Sequence, residues 1–425
     1  MLKRFPKLLS LVWMIVLFIL PLPLVLTLAA GLPGQFTSGG LAIQAGSIAY
    51  VWFLVAIYLA TRPHWLDRLI GLPSVYMVHG CLSIFAIILA FLHKMGTHSG
   101  GMVRTTGDIA LILFIGLMMY SLVFMAGWLT DKVPALAHLK HWLEQTFKHE
   151  FSVWLHRLNL IAVVLVFIHV QLIGYITAIH PYMWWFDGYT AVVALAYVYA
   201  KLRDTWWLSR GKLTSKRELA PNFFEFTFSL KSRHQLTVKP GDYVFISFPD
   251  YAGLRELHPF SVVNAVHDNQ LVLAIRGDGD FTRSVQNLPL NAEAHLTGGF
   301  GLFNTMIAKH PTKPLVLVAG GSGVVPMLAL VQAYPQLPIT LYYSAHRPTD
   351  LIYVPQLKAL AAQRSTLTVH IQTGRFDVTK AVSSITPISA LYLLSGPARM
   401  GQAWQHALTQ AGVSHENMYY EQFSW

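Results

Sequence analysis

The N-terminal part of the chain contains a long stretch without any formal charge. No Lys, Arg, Asp or Glu occurs between Lys7 and Arg62, and apolar runs recur as far as residue 202. About 20 consecutive apolar residues suffice to cross a bilayer as a helix. We therefore predict a bundle of six transmembrane helices. The six spans are predicted at residues 8–30, 42–61, 73–93, 108–129, 153–178 and 184–202.

The start of the chain also has features of a secretory signal peptide. Lys3, Arg4 and Lys7 precede the first apolar run. That run is long, and no small-residue cleavage site follows it, so we expect the first span to be retained.

Basic residues are unevenly distributed among the loops. They concentrate at the N-terminus, in the loops between spans two and three and between spans four and five, and after span six. Basic loops stay in the cytoplasm. We therefore expect a protein of the cytoplasmic (plasma) membrane with both termini inside, in which spans three and five run outward in the same direction. Membrane lipid is then its immediate surrounding.

The composition excludes several classes of site. The net charge is +11, but no basic stripe or base-stacking motif accompanies it, so we predict no nucleic-acid partner. Cys81 is the single cysteine, which excludes an internal disulfide and a cysteine-based zinc or iron–sulfur site. After Arg203 the chain has ordinary soluble composition, which indicates a globular half joined to the membrane half.

Four histidines lie within the predicted spans, where imidazole is costly and usually functional. His79 and His93 lie on span three, and His156 and His169 on span five. Given the common direction of these spans, His79 and His156 share the cytoplasmic depth and His93 and His169 the outer depth. Fourteen residues of helix rise about 21 Å. We predict two stacked haems with bis-imidazole ligation, an electron-transfer arrangement; the alternative is that the histidines line a polar cavity or cap span ends.

The two spacings differ in their angular consequences. Fourteen residues place His79 and His93 on nearly one face, whereas thirteen residues turn His169 well away from the face of His156. A local π- or 3₁₀-type adjustment, or haems approached from different directions, would reconcile this. Arg157 and Lys94 stand beside inner and outer ligands, where they either neutralise haem propionates or anchor the spans at the membrane surface.

The soluble half changes its pattern near residue 305. Strand-like runs separated by turns at 223–230, 243–248 and 271–276 predict an antiparallel barrel. Further strands at 315–319, 339–344, 366–373 and 390–395 alternate with helical segments, which predicts a parallel sheet. The fold class is therefore a multi-domain membrane protein. Its predicted domains are a six-helix bundle (1–205), an antiparallel β-barrel (206–305) and an α/β domain (306–425).

A glycine-rich turn joins the first parallel strand to the following helix. It reads Gly320-Gly321-Ser322-Gly323-Val324-Val325-Pro326. Glycines at such a turn let backbone N–H groups approach a pyrophosphate. The motif is weak alone, but its position after a strand and a barrel favours dinucleotide binding.

Several segments together resemble the ferric reductase and NADPH oxidase superfamily, over nearly the whole chain. Leu257-His258-Pro259-Phe260-Ser261 is similar to its first flavin motif, and the segment from Arg276 to Thr282 to its second. Gly298-Gly299-Phe300-Gly301 resembles the end of its flavin domain, Gly320–Pro326 its nicotinamide nucleotide loop, and Ser395-Gly396-Pro397 its Cys-Gly-Pro motif. The histidine spacings also match its two-haem arrangement.

The resemblance implies roles for individual residues. The strand carrying His258, Pro259, Phe260 and Ser261 would lie along the isoalloxazine, with the Ser261 hydroxyl at flavin N5. Arg276 and Thr282 would bind the FAD pyrophosphate. The nicotinamide nucleotide would contact Gly320, Gly321, Gly323, Pro326, Gly396 and Pro397. The alternative for Ser261 is a strand hydroxyl satisfied by the backbone.

The sequence departs from the family at two places. Ser395 replaces the usual cysteine near the nicotinamide, so hydride transfer would be slower or differently tuned. The chain ends Phe423-Ser424-Trp425 where the family places an aromatic on the flavin, and we favour Trp425 over Phe423. Ser344, Arg347 and Arg375 resemble groups that bind an adenosine 2′-phosphate, which favours NADPH over NADH.

These observations predict an NAD(P)H-dependent flavocytochrome b. Electrons would pass from cytoplasmic NADPH through FAD and two b-type haems to dioxygen, giving superoxide, or to a ferric chelate, giving ferrous iron. No EF-hand or long insertion occurs, so no calcium or obligatory protein partner is expected. Two alternatives are an electron relay to a partner protein or quinone, and a haem-free membrane-anchored flavin reductase.

Overall fold

The computed structural model describes residues 6–124, 149–206, 208–231, 236–264, 269–384 and 389–422. It divides into two compact units. One holds Pro6–Leu66 and Leu72–Leu202, and the other holds Asp67–Gly71 together with the chain from Arg203 onward.

The first unit is helical throughout its described residues. Apolar side chains from several helices form its core, and the largest fully buried ones include Tyr50 and Phe186. A π-helical turn, Ile15–Ile19, precedes Pro21, whose missing N–H prevents an uninterrupted α-helix. The helices, with the short α4 that reaches into the second unit, are α1 (Pro6–Met14), α2 (Leu22–Gly31), α3 (Gly40–Ala60), α4 (His64–Ile70), α5 (Leu72–Gly96), α6 (Gly101–Phe124), α7 (His149–His156), α8 (Asn159–Gln171), α9 (Gly174–Thr177) and α10 (His180–Trp206).

Five described segments are long and apolar enough to cross a membrane. They overlap the first five predicted spans, although the predicted end of span four, 125–129, lies outside the described residues. The segment predicted as span six, 184–202, lies within α10, a helix of 27 residues that is not among the five. The count of six therefore stays a prediction. The five segments are Leu9–Gly31, Gly34–Ala60, Leu72–Gly96, Gly101–Leu122 and Trp154–Gln171.

The second unit begins with an antiparallel six-stranded barrel. Its strand order is β4-β3-β6-β1-β2-β5, and a bridge between Val262 and Leu273 joins the two outer strands and closes the barrel. Apolar residues from alternating positions fill the interior, among them Phe226 and Phe228. The strands are β1 (Ser209–Ala220), β2 (Phe223–Leu230), β3 (Tyr243–Ser247), β4 (His258–Ser261), β5 (Gln270–Arg276) and β6 (Glu293–Phe300), with helix α11 (Asp280–Val285) after β5.

A parallel five-stranded sheet of order β11-β10-β7-β8-β9 follows the barrel. Every residue of β7 and β10 is buried, as expected for central strands covered on both faces. Its elements are α12 (Phe303–Lys309), β7 (Leu315–Gly320), α13 (Val324–Ala333), β8 (Ile339–Ala345), α14 (Val354–Gln363), β9 (Leu367–Thr373), α15 (Val378–Ser384), β10 (Leu391–Gly396), α16 (Ala398–Gln410) and β11 (Met418–Gln422).

Candidate functional site

The helical unit brings the four predicted histidines together in two pairs. The ring centres of His79 and His156 are 6.0 Å apart, and those of His93 and His169 are 6.2 Å apart. The pairs are those expected from the common direction of spans three and five.

Each histidine ring is oriented by a hydrogen bond to its Nδ1 atom. The Nδ1 of His79 lies 2.9 Å from the carbonyl oxygen of Ala56, and that of His93 lies 2.9 Å from the carbonyl oxygen of Ala42. On α8, the Nδ1 of His169 lies 2.8 Å from the carbonyl oxygen of Val103. A carbonyl oxygen accepts a hydrogen bond from Nδ1–H, so the proton stays on Nδ1 and the lone pair of Nε2 is left to bind a metal.

The ring separations fit one metal ion between each pair. Imidazole nitrogen binds first-row metals at about 2 Å, so two trans nitrogens are about 4 Å apart and their ring centres roughly 6 Å apart. No cluster of three or more His, Cys, Asp or Glu able to hold a metal occurs among the described residues. Paired axial ligands for a haem require only two side chains, and the remaining ligands come from the porphyrin.

A local break in the fifth apolar segment accounts for the thirteen-residue spacing. Four i→i−3 backbone hydrogen bonds, donated by Arg157, Leu158, Leu160 and Ile161, lie where α7 ends and α8 begins. Ideal α-helix would turn His169 about 140° from His156. Each residue wound as 3₁₀-helix adds about 20° and so reduces this offset. The i→i−3 hydrogen bonds therefore favour a local 3₁₀-type adjustment over haems approached from different directions.

Glycines line the pair formed by His93 and His169. A Cβ on Gly46 would lie 2.7 Å from the Nδ1 of His93, and a Cβ on Gly107 would lie 3.1 Å from the ring of His169. Gly46 lies four residues after Ala42, whose carbonyl oxygen contacts His93. Gly107 lies four residues after Val103, whose carbonyl oxygen contacts His169. The rings can therefore reach these carbonyls only because no side chain stands one turn further along the helix.

The cations predicted beside the ligands lie in different surroundings. Lys94 forms a 2.7 Å ion pair with Asp108, to which Arg104 is also close at 3.6 Å. Arg157, within the 3₁₀ break, is exposed. Lys94 is thus already partly neutralised, and of the two Arg157 is the more available to an anionic group.

The predicted flavin residues lie at one end of the barrel. His258, Pro259, Phe260 and Ser261 form β4, where Ser261 is opposite Tyr243 on β3. All four are partly exposed, and the His258 ring stacks on Phe281 with centres 3.8 Å apart. This leaves the strand accessible to a flat ligand.

The predicted pyrophosphate residues are engaged with their own loop. Arg276 binds Asp278 at 2.7 Å. The Thr282 hydroxyl accepts a 2.8 Å hydrogen bond from the Gly279 N–H and so caps α11. The Arg276 side chain is nevertheless 39% exposed, so it can contact a phosphate without unfolding this loop.

A buried ion pair that the sequence pattern did not reveal supports the glycine-rich end of β6. Arg68 donates two hydrogen bonds to the carboxylate of Asp242, at 3.0 and 2.8 Å, and further ones to the carbonyl oxygens of Gly299 and Gly301. Both glycines have positive φ, of 86° and 121°, a conformation that disfavours other residues. The only sequence signal was a charged pair, Asp67-Arg68, in a short apolar loop.

The predicted nucleotide loops meet at the carboxyl ends of adjacent parallel strands, where open α/β sheets bind ligands. Gly320 ends β7 and Gly396 ends β10, and a Cβ on Gly396 would lie 2.9 Å from the Gly320 carbonyl oxygen. Gly323 similarly leaves no room for a Cβ beside the Ser395 carbonyl. Gly321, with φ of +54°, faces open space. Pro326 lies in the first turn of α13, and Pro397 precedes α16.

Two buried polar side chains lie beside this junction. Ser395 is fully buried, and its hydroxyl has no hydrogen-bond partner within the described part of the chain. Glu421, which the sequence analysis passed over, is opposite Ser395 in the β10–β11 register and is 2% exposed. A buried hydroxyl left without a partner costs about 1–3 kcal/mol.

The remaining predicted residues are spread along the same edge of the sheet. Ser344 lies within β8, and the exposed Arg347 follows this strand, its Nε 3.7 Å from Asp350. The exposed Arg375 follows β9. The two arginines follow β8 and β9, the two strands that come after β7 in the order of the sheet. Phe423 and Trp425 lie outside the described residues.

Comparison with known proteins gives three kinds of relative. Residues 214–325 match the model of an FAD-binding domain family. Methane monooxygenase component C of Methylosinus trichosporium is 30% identical over 169 residues, 38% of this chain and 48% of that protein. Ferric reduction oxidase 5 of Arabidopsis thaliana is 26% identical over 41% of this chain and 24% of its own length.

The relative with the greater coverage reaches into the helical unit. Dual oxidase 2 of Rattus norvegicus is 24% identical over 346 residues, 70% of this chain and 21% of that protein. The chain from Arg203 onward is only about half of the sequence, so an alignment of 70% includes apolar helices. The chain spans about half the length of the methane monooxygenase component and less of the two oxidases.

Proposed function

The chain belongs to the ferric reductase and NADPH oxidase superfamily, and we propose that it carries electrons from cytoplasmic NADPH, through FAD and two b-type haems, to an acceptor outside the membrane. When bound, the flavin supplies the conversion of a two-electron hydride into single electrons, and the haems supply one-electron sites. Residues of this chain bind, orient and separate these groups.

The observation that carries the proposal is the pairing of the four histidines. Two ring pairs at 6.0 and 6.2 Å, with Nδ1 atoms held by neighbouring helices, suit two bis-imidazole haems. Bis-imidazole ligation leaves no open coordination position, so a group held this way transfers electrons rather than binding substrate at the metal. A structural role alone would not require matched separations at two depths.

The reductase unit supports the choice of electron donor. Its barrel provides an accessible β4 strand, and its parallel sheet provides a glycine-lined junction at Gly320 and Gly396. We assign the FAD contacts to the β4 residues and Arg276, and the NADPH contacts to the glycine junction. Arg347 and Arg375 favour NADPH, because their guanidinium groups suit a phosphate dianion. The barrel and sheet residues would hold the flavin and the nucleotide in position.

The charges at the predicted outer end of the helices support a small anionic or neutral acceptor. Lys94 and Arg104 both contact Asp108, so these three residues together keep a modest positive charge. Such a charge attracts anionic ferric chelates and also superoxide leaving the site. We propose a small diffusible acceptor, either dioxygen or a ferric chelate, and constitutive turnover without a protein activator.

The haem pairing is tested by counting haems in single and double variants. His79→Leu and His169→Leu should each remove about half of the haem from the purified full chain. His79→Leu with His156→Leu should remove no more than either alone, whereas His79→Leu with His93→Leu should remove both. His98, exposed and unpaired with these rings, provides the control His98→Leu. Full haem retention in the first two variants would contradict the pairing.

The acceptor is tested with the same preparation. Turnover with NADPH and either oxygen or ferric citrate, without added protein, should yield superoxide or ferrous iron. Turnover that appears only after a quinone or a partner protein is added would favour the relay alternative instead. A preparation with flavin but no reducible Soret band would favour the haem-free reductase.

A further inference from the structure

The four histidines do not have equivalent hydrogen-bond acceptors. Three Nδ1 atoms are bound by backbone carbonyl oxygens, whereas the Nδ1 of His156 lies 2.9 Å from the Oγ of Ser121 on α6. This is the one described ring of the four whose orientation depends on a replaceable side chain.

The asymmetry has a chemical consequence once the ring binds a metal. Binding through Nε2 places the imidazole proton on Nδ1, so Nδ1 donates and the Ser121 hydroxyl accepts. An alcohol oxygen is a weaker acceptor than a peptide carbonyl. The His156 ring therefore gains less negative character than the other three, and it donates less electron density to its metal.

Neighbouring contacts fix Ser121 in place. The adjacent Tyr120 hydroxyl forms a 2.7 Å hydrogen bond with the Oγ of Ser152 on α7. Two consecutive residues of α6 thus bind α7, at the end of that helix where the 3₁₀ break begins. Asn159 adds a 2.8 Å hydrogen bond from its side chain to the His156 carbonyl oxygen. The ligand is held just where its helix changes winding.

We propose that Ser121 is a positioning residue that orients His156 and, by accepting from its Nδ1–H, lowers the reduction potential of the inner haem relative to a ring without an acceptor, though by less than a carbonyl oxygen would. This rests on the proposed two-haem function. Ser121 touches neither the metal nor a substrate and acts only through the His156 ring. Loss of the hydroxyl leaves the Nδ1–H without an acceptor. The ring then donates still less electron density to the metal, which favours the reduced state of the metal.

The test uses the full chain in a His93→Leu background, which should retain the inner haem alone and so titrate as a single wave. Ser121→Ala is expected to raise the equilibrium constant for reduction about threefold to tenfold, the effect of one hydrogen bond. For one electron this is about 30 to 60 mV. Ser121→Thr keeps a hydroxyl and should restore the original potential.

Ser83→Ala is the matched control. The Ser83 hydroxyl lies beside the other inner ligand but donates to the backbone carbonyl oxygen of His79 at 2.8 Å, not to its ring. Its removal should leave the potential unchanged. Ferric low-spin electron paramagnetic resonance, which senses the orientation and basicity of axial imidazoles, should change in Ser121→Ala and not in Ser83→Ala.

The outcomes separate this inference from the function on which it rests. An upward shift in Ser121→Ala, or loss of the inner haem in that variant with retention in Ser121→Thr, supports the role of Ser121. An unchanged potential and spectrum with haem retained would overturn it. If His93→Leu leaves no haem, or leaves both, the two-haem assignment fails before Ser121 is tested.

Discussion

Gly46 on α3 offers a substitution whose effect can be worked out from the geometry. A methyl group at this position would lie 2.7 Å from the His93 Nδ1, and ordinary contact begins near 3.4 Å. The ring must therefore retreat by about 0.7 Å. Its 2.9 Å hydrogen bond to the Ala42 carbonyl would lengthen to about 3.6 Å, a distance at which no hydrogen bond remains.

The cost follows from the loss of that bond. A buried donor left without its acceptor costs about 1–3 kcal/mol, and loss of such support typically weakens metal binding about 10- to 100-fold. Alanine is about 1 kcal/mol more favourable than glycine within a helix, so α3 itself should not be weakened. We expect Gly46→Ala to lose the outer haem while the chain stays folded.

The assay is haem per polypeptide, with retention followed during dilution of the purified protein. Gly107→Ala, whose methyl would lie 3.1 Å from the His169 ring, should give a smaller loss because the ring need move only a few tenths of an ångström. Gly116→Ala lies on the same helix as Gly107 and meets nothing within 4 Å, so it controls for helix propensity. Wild-type haem content in Gly46→Ala would refute the reasoning, because it would mean that the His93 ring does not need the Ala42 carbonyl.

Three further predictions concern the reductase unit. Arg68→Met should lower the unfolding free energy of this unit by about 3–5 kcal/mol, because the Asp242 carboxylate stays buried without its counter-ion. Burial raises the pKa of Asp242, so protonation of this carboxylate at low pH removes the unpaired charge. Thermal unfolding followed by flavin fluorescence should therefore show a smaller loss of stability at about pH 5 than at pH 8. Ser395→Ala should stabilise the unit by about 1 kcal/mol, since it removes a buried hydroxyl for which the described residues supply no partner. It should nevertheless slow NADPH oxidation in stopped-flow measurements, and equal rates would argue against a nicotinamide contact. Arg347→Ala should reduce the preference for NADPH over NADH about 10- to 100-fold in kcat/KM, whereas Lys358→Ala on exposed α14 should not.

Sequence periodicity predicted most of the reductase strands closely. The run at 223–230 is β2, and 271–276 lies within β5, because these segments combine aromatic and branched residues with clear turns at each end. β1 was missed, since its sequence SRGKLTSKRELA exposes charges along one face and reads as a loop. β6 was missed as well, because its sequence EAHLTGGF ends in two glycines, which are typical of turns. β11 was also missed, because it completes the parallel sheet only through pairing with β10, which is distant in sequence.

The histidine pairs could be anticipated because depth in a membrane follows from position along a span. Their hydrogen-bond acceptors could not be predicted, since the carbonyl oxygens of Ala42, Ala56 and Val103 belong to neighbouring helices. Every residue has a backbone carbonyl, so the sequence does not show which one accepts the hydrogen bond. Gly46 and Gly107 are ordinary glycines in apolar helices until those helices are packed. The ion pair of Arg68 with Asp242 likewise joins residues 174 positions apart, and nothing local in the sequence relates them.

The most direct test of the electron path is anaerobic reduction of the full chain, reconstituted with FAD and haem, by NADPH, with the Soret band followed in time. The wild type should show NADPH-dependent reduction of two haems. His169→Leu should retain reduction of one haem and lose electron transfer to an outside acceptor, since only the inner ligands His79 and His156 remain. A Soret band that NADPH does not reduce, or undiminished acceptor reduction in His169→Leu, would contradict the account.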